Sequence, residues 1–118
     1  MIINCSVLET TKFIGKKWTL LIFLELYKGN KWKRYNELKK KLPNITSKVL
    51  SKRLKEMCEN GLVIKKLNTN IVPNSSNYSL TPSGRDLFRI TKQCKEWVLK
   101  WKTKNKVCRE TDCIKCPF

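Results

Sequence analysis

The sequence predicts a mainly α-helical domain with a small β-hairpin wing, the winged helix-turn-helix fold. Three observations point to it: two helix patterns joined by a short turn, a hairpin pattern directly after them, and an excess of basic residues in this region. Residues 31–66 contain 12 Lys or Arg and three Asp or Glu residues, so they carry +9 of the net charge of +17. A helix with a basic outer face, followed by a hairpin, is typical of domains that bind DNA.

The composition limits the classes of function. A chain of 118 residues predicts one domain, and its 41% of hydrophobic residues are enough for a core. Histidine is absent, which excludes His general bases and His metal ligands, and we expect no enzymatic activity. The net charge of +17 predicts a polyanionic partner, and nucleic acid is favoured over an anionic membrane. Without a signal peptide or an apolar run of ~20 residues, we expect a cytoplasmic protein with no membrane partner.

Two helices are predicted before residue 29. Ser6-Val7-Leu8-Glu9 fits a capping box, so the first helix is expected over residues 6–14. Gly15 interrupts the pattern. The second helix is expected over residues 16–28, and it should be buried because its residues are nearly all apolar.

A helix-turn-helix is predicted next. After a short extended segment at residues 31–34, the third helix is expected over residues 35–42. The fourth helix begins at Thr46 or Ser47, either of which can cap it, and it ends near Glu59. Its inner face is apolar and its outer face is polar and basic, as a DNA recognition helix requires.

A β-hairpin and a long helix follow. Residues 62–67 and 78–80 are predicted strands, and the uncharged segment 68–77 joins them as the tip of the wing. Thr81-Pro82 is a strong helix start, because Thr caps helices and Pro suits their first turn. The last helix is expected to reach about Lys102.

An apolar stripe on this last helix predicts a homodimer joined through the terminal helices. Its members follow at spacings of 3, 4, 3 and 4, the pattern of a helix that packs on another helix: Leu87, Ile90, Cys94, Trp97 and Trp101. Two recognition helices would then lie about 34 Å apart on a pseudo-palindromic operator. The alternative is that the stripe packs only on its own domain. The predicted domain for DNA binding and dimerisation spans residues 1–102, and a cysteine-rich tail spans residues 103–118.

Candidate DNA contacts follow from residue type and position. On the outer face of the fourth helix, hydroxyl and lysine side chains suit base edges and phosphates: Ser47, Lys48, Ser51 and Lys52. Arg53 lies beside a core position, so it either braces the helix or contacts a phosphate. Arg34 and Tyr35, at the start of the third helix, are candidates for backbone contacts. Asn74 and Ser75 at the wing tip are candidates for the minor groove, with a solvated turn as the alternative.

Several segments follow one another in the order and spacing of one known family: Ile14-Gly15-Lys16-Lys17-Trp18-Thr19, Arg34-Tyr35-Asn36-Glu37-Leu38, Ile45-Thr46-Ser47-Lys48-Val49-Leu50-Ser51-Lys52-Arg53-Leu54-Lys55-Glu56-Met57 and Asn60-Gly61-Leu62-Val63. Together with Tyr78-Ser79-Leu80-Thr81, they resemble the HxlR family of winged-helix transcriptional regulators, which is related to the MarR type. The resemblance implies a homodimer that binds operator DNA and represses or activates neighbouring genes. It also implies sensing of electrophiles or oxidants through an N-terminal cysteine, here Cys5.

The six cysteines are expected to be thiols, metal ligands or redox sensors rather than a disulfide framework. Cys5 is the redox-sensing candidate because it precedes a helix N-terminus, where thiols are more reactive; a small packed side chain is the alternative. In the tail, the spacing of Cys108, Cys113 and Cys116 suits an iron–sulfur cluster or Zn, although a fourth ligand is missing locally. A dithiol switch between Cys113 and Cys116, or no sensing role for the tail, are the alternatives.

Two other classes of function stay open beside a sequence-specific regulator. An architectural or RNA-binding basic protein would use the same charge without choosing an operator. A redox or iron–sulfur protein would use the tail cysteines, but a dithiol in an irregular tail lacks the βαβ setting typical of thiol oxidoreductases. We favour the regulator, redox- or metal-responsive through its cysteines, because the helix pattern and the charge coincide.

Overall fold

The structure, a computed structural model, describes residues 5–29, 31–68, 70 and 75–115. Within these residues, six α-helices and three β-strands follow one another in the order expected of a winged domain. The elements are α1 (Ser6–Thr11), α2 (Thr19–Tyr27), β1 (Lys33–Arg34), α3 (Tyr35–Lys41), α4 (Ser47–Glu59), β2 (Val63–Asn68), β3 (Ser75–Leu80), α5 (Pro82–Trp101) and α6 (Lys106–Glu110), with a 3-10 turn at Cys113–Lys115. The predicted mainly α fold with a small β wing is therefore confirmed. Dimerisation through the terminal helices stays a prediction.

The sheet is antiparallel, and β3 lies in its centre in the order β1-β3-β2. The second wing strand was expected to start at Tyr78, and this is wrong, because β3 starts at Ser75. The physical reason is pairing on both sides: Asn77 lies opposite Arg34 of β1 and opposite Lys66 of β2. The ladder holds polar residues that have little strand preference of their own.

The segment between α1 and α2 differs from the expectation at three points. The capping box is wrong, because Cys5 is the N-cap of α1 and makes no side-chain capping bond. The helix ends at Thr11 instead of residue 14, and the hydroxyls of Thr10 and Thr11 donate to carbonyl oxygens of the preceding turn at 2.6 and 2.7 Å. The second helix starts at Thr19, since Trp18 before it has a φ of 82°, which a helix cannot continue through.

The core lies between α2, the helix pair α3–α4, the sheet and the first part of α5. Its fully buried side chains include Ile22, Leu26, Leu38, Leu50 and Leu54. The caps predicted for α4 and α5 are confirmed: the Thr46 hydroxyl accepts from the Val49 amide at 3.1 Å, and the Thr81 hydroxyl accepts from the Gly84 amide at 3.2 Å. These caps fix where α4 and α5 begin.

The tail was expected to be irregular, and this is wrong for its described part. Asn105 caps α6 by accepting from the Cys108 amide at 3.1 Å. The tail then folds back on α5, where Lys95 Nζ donates to the carbonyl oxygen of Thr111 at 2.8 Å and Arg109 donates to that of Leu99 at 2.9 Å. Within residues 5–29, 31–68, 70 and 75–115, no helix is long and apolar enough to cross a membrane.

Candidate DNA interface

The fourth helix, α4, presents a basic face away from the core. Leu50, Leu54 and Met57 form its buried face. Lys48, Lys52 and Lys55 are exposed and, at spacings of four and three residues, share the opposite face. Lys48 and Lys52 are therefore on the side expected for DNA contacts. Lys55 was absent from the predicted contacts, although its position three residues after Lys52 would have indicated it.

Tyr35 of α3 holds one flank of α4. Its hydroxyl donates to the carbonyl oxygen of Ser47 at 3.0 Å and lies 3.1 Å from the Oγ atom of Ser51. A phenol has one proton, so the Ser51 hydroxyl is the donor to Tyr35 in the second bond. Tyr35 is half-buried, and Ser47 and Ser51 are exposed. The geometry places these three predicted residues together and gives Tyr35 a supporting contact within the protein.

An ion-pair cluster holds the other flank of α4. Lys16 Nζ lies 2.9 Å from Glu56 Oε2, and Arg53 Nη1 lies 3.2 Å from Glu56 Oε1. Burial alone would raise the pKa of the Glu56 carboxyl, but the hydrogen bond from Lys16 and the charges of Lys16, Arg53 and Lys52 lower it below its usual value. Arg53 therefore braces the helix in this structure, one of the two roles expected for it.

Two further predicted DNA contacts, Arg34 and Ser75, lie in the sheet. Arg34 is exposed in β1 and is the N-cap residue of α3. Ser75 is half-buried in β3 opposite Asn68, so it lies in the ladder and not at a free turn. Asn74 lies outside the described residues. The exposed Lys65 and Lys66 of β2 were not among the predicted DNA contacts, and they add positive charge to the sheet.

The predicted dimer stripe is divided between the core and the surface. Leu87 is buried and Ile90 is half-buried, so the first part of the stripe packs on its own domain. Cys94 is exposed, and 55% of Trp97 and 66% of Trp101 are exposed. The second part of the stripe is thus an uncovered apolar surface in the described part of this single chain.

The described cysteines lie in different environments. Cys5 is exposed, and Cys58 is half-buried at the end of α4, where burial raises the pKa of its thiol. Cys108 and Cys113 are half-buried, and Lys95 Nζ donates to Cys113 Sγ at 3.6 Å. Among the residues that the structure describes, no group of three metal-ligating side chains could hold an ion. Cys116 lies outside them, so the iron–sulfur or Zn site stays a prediction.

Comparisons with known proteins point to one group of regulators. Residues 13–106 match the family described as HxlR-like helix-turn-helix. The HTH-type transcriptional regulator YybR of Bacillus subtilis is 38% identical over 94 residues, which is 80% of this chain and 73% of YybR. The redox regulator HypR in its oxidized form has a similar structure, with a TM-score of 0.72 and 35% identity over 84% of this chain and 99% of HypR. The reduced form of the transcriptional regulator YodB from B. subtilis has a TM-score of 0.72 and 28% identity, over 87% of this chain and 99% of YodB.

Proposed function

The chain belongs to the HxlR-like helix-turn-helix family, and we propose that it acts as a homodimer on a specific operator. Like its relative YybR, it is a helix-turn-helix transcriptional regulator. The proposal goes further in three respects: the choice of a DNA sequence, the pairing of two chains, and a response to oxidants. Each rests on a different surface of the molecule.

The observation that carries the choice of DNA sequence is the exposed basic face of α4. Lys48, Lys52 and Lys55 stand on a helix that is seated on the core and held on both flanks, by Tyr35 and by Glu56. A rigid helix that presents lysines and hydroxyls suits the major groove, where each base pair has its own donor and acceptor pattern. A basic protein that binds DNA without sequence preference would not need a recognition helix held in this way.

The test of sequence choice is selection from a pool of duplexes with a randomised centre. We expect the bound fraction to converge on one pseudo-palindrome with half-sites about 34 Å apart, or one DNA turn. Binding that retains duplexes without a shared sequence would contradict the proposal and favour an architectural protein. Equal binding of single-stranded RNA of random sequence would favour the RNA-binding alternative.

The exposed end of α5 supports a dimer. In a dimer, Trp97 and Trp101 would bury a large apolar surface against the second copy of the chain. Burial of apolar surface is the main driving force of association. Trp97→Glu should convert the dimer into a monomer in sedimentation at micromolar concentration. Lys92→Gln, which lowers the net charge by the same one unit at an exposed residue on another face of α5, is the matched control and should leave the dimer intact. A monomeric wild type would contradict this part of the proposal.

A response to oxidants is proposed for Cys5. Two facts support it: this side chain is exposed at the start of α1, and the structural relative HypR is a redox regulator. Footprinting of the selected duplex with and without diamide should show protection that changes with treatment. Cys5→Ser should remove that change while leaving protection by the untreated protein intact. A change that persists in Cys5→Ser would assign the response to another cysteine.

A further inference from the structure

The recognition helix α4 is fixed by directional bonds at both of its flanks. Tyr35 holds one flank through Ser47 and Ser51. Glu56 holds the other, because its carboxylate pairs with Arg53 on the same helix and with Lys16, which is 40 residues away in the chain. Glu56 thus joins α4 to the segment that leads into α2.

Lys16 is an anchored partner. It lies three residues before α2, whose residues Ile22, Phe23 and Leu26 are buried in the core. Lys16 is half-buried and lies 2.9 Å from the Glu56 carboxylate, a distance typical of a charge-assisted hydrogen bond. The Lys16 backbone leads directly into the buried helix α2, and its side chain binds Glu56 on α4. This contact therefore fixes the position of α4 relative to the core.

The apolar seat of α4 does not supply this constraint. Contacts of Leu50, Leu54 and Met57 are non-directional, so they tolerate a small rotation of the helix about its axis. The side chains extend about 5–6 Å from that axis, and a rotation of about 10° moves their ends by about 1 Å. A hydrogen bond to a base edge does not survive such a shift, whereas a flexible lysine still reaches a phosphate.

We propose that Glu56 is a positioning residue for DNA sequence recognition: through Lys16 and Arg53 it fixes the rotation of α4 and hence the aim of its outer face. The proposal rests on the function proposed above, the choice of an operator by α4. Its consequence is specific, because loss of Glu56 should reduce discrimination between sequences more than it changes affinity for DNA in general.

The test compares Glu56→Gln with Glu59→Gln. Both remove one negative charge from the end of α4, but the exposed Glu59 has no ion pair in the described part of the chain. Affinities are measured for the duplex selected with the wild type and for a scrambled duplex of the same composition. The readout is the ratio of the two affinities, from which a uniform electrostatic effect cancels.

We expect Glu59→Gln to strengthen binding to both duplexes by the same factor and to keep the wild-type ratio. Glu56→Gln should lower the ratio about tenfold while binding to the scrambled duplex is unchanged or tighter. An unchanged ratio in Glu56→Gln would overturn the positioning role. A wild type with no preference for any duplex would overturn the operator proposal and the positioning role together, so the two failures are distinguishable.

Variants of Lys16 keep the test decisive if Glu56→Gln does not fold. Lys16→Met should lower the ratio, and Lys16→Arg, which preserves the ion pair, should restore it. Lys17→Met is the matched control, because Lys17 is an exposed neighbour that does not contact Glu56. In the double variant Lys16→Met with Glu56→Gln, we expect no loss beyond that of Glu56→Gln alone, since Glu56→Gln already breaks the ion pair with Lys16. A fall in the ratio that Lys17→Met reproduces would overturn the proposal.

Discussion

The hydroxyl of Tyr35 on α3 lies 3.1 Å from the Oγ atom of Ser51 on α4. Because the Tyr35 proton goes to the carbonyl oxygen of Ser47, the Ser51 hydroxyl donates its proton to Tyr35. Ser51 is exposed on the flank of α4, so if it contacts DNA, only its lone pairs are available. Tyr35 would then limit Ser51 to accepting hydrogen bonds, which would favour the amino groups of adenine and cytosine.

The first prediction concerns Tyr35→Phe. This change releases the Ser51 proton, so we expect a broader base preference at one position of the selected sequence, now including bases that accept. We also expect a loss of about 0.5–1.5 kcal/mol in the free energy of unfolding for the missing hydrogen bond. Selection from random duplexes and denaturant unfolding measure the two effects. Tyr27→Phe is the control, because Tyr27 stacks on Phe88 away from α4. Lower stability with an unchanged base preference would show that Tyr35 only stabilises α4 and does not influence which bases are bound.

The second prediction separates the lysines of α4 by their response to salt. If Lys52 and Lys55 contact phosphates, each change to Ala should weaken binding to all sequences and reduce the slope of log affinity against log salt by about 1. If Lys48 reads a base, Lys48→Ala should instead relax the preference at one position, at a cost of ~1–3 kcal/mol. Titrations at several salt concentrations, with selected and scrambled duplexes, distinguish the two behaviours.

The control for these lysines is Lys104→Ala, which removes the same charge from an exposed residue between α5 and α6. We expect it to leave the salt slope nearly unchanged. If Lys104→Ala reduced the slope as much as Lys52→Ala, the positive charge would act as a diffuse field and α4 would not be the docking face.

The parts of the fold that were predictable from the sequence depend on local chemistry. Thr46 and Thr81 each accept a hydrogen bond from an amide three residues later, so the residues that decide the helix starts are neighbours in the chain. The basic face of α4 follows in the same way from helical periodicity. Local signals of this kind fixed the positions of α4 and α5 and most of the candidate interface.

The parts that were not predictable depend on contacts between distant residues. Strand β3 begins at Ser75 because its backbone pairs with β2 and β1, and no side chain in Ser75-Ser76-Asn77 signals this. The ion pair of Lys16 with Glu56 joins residues that are 40 positions apart, and no pattern in the sequence indicates it. Trp18 adopts a positive φ that is uncommon for a bulky residue, so the start of α2 was placed too early.

The third prediction concerns the reactivity of Cys58. Burial raises the pKa of this thiol, with Glu59 adding to the effect and Lys65 opposing it. Because the thiolate is the nucleophile, a raised pKa lowers its fraction at neutral pH and slows alkylation. We expect iodoacetamide to label Cys58 more slowly in the folded protein than in the unfolded one, and the rate to rise steeply only above the usual thiol pKa. Peptide mass spectrometry over time at several pH values measures this.

Cys5 provides the internal comparison, because it is exposed at the start of α1. Its labelling at neutral pH should precede that of Cys58 in the folded protein, and the two rates should converge in denaturant. Labelling of Cys58 as fast as in the denatured chain would contradict its packed position. It would also make Cys58, at the end of α4, a candidate sensor beside Cys5.

The fourth prediction concerns the close approach of α5 to the wing at Gly84. A Cβ atom at this position would overlap the carbonyl oxygen of Leu62 and would lie 3.1 Å from Leu80 Cδ2. The overlapped atom belongs to the backbone, so the start of α5 must shift to make room. We expect Gly84→Ala to lower the free energy of unfolding by about 1–3 kcal/mol, as overpacking does, even though Ala is otherwise the better helix former.

Thermal unfolding checks the Gly84 prediction, since a loss of 1 kcal/mol lowers the Tm of a domain of this size by about 4 °C. Arg85→Ala is the matched control, because Arg85 is the next residue of α5 and is exposed. It should leave the Tm nearly unchanged. The displaced helix start would also strain the bond from the Gly84 amide to the Thr81 hydroxyl, so the loss includes part of the cap. A Tm equal to that of the wild type would show that α5 moves away from Leu62 at no cost, and that the contact does not fix the wing on α5.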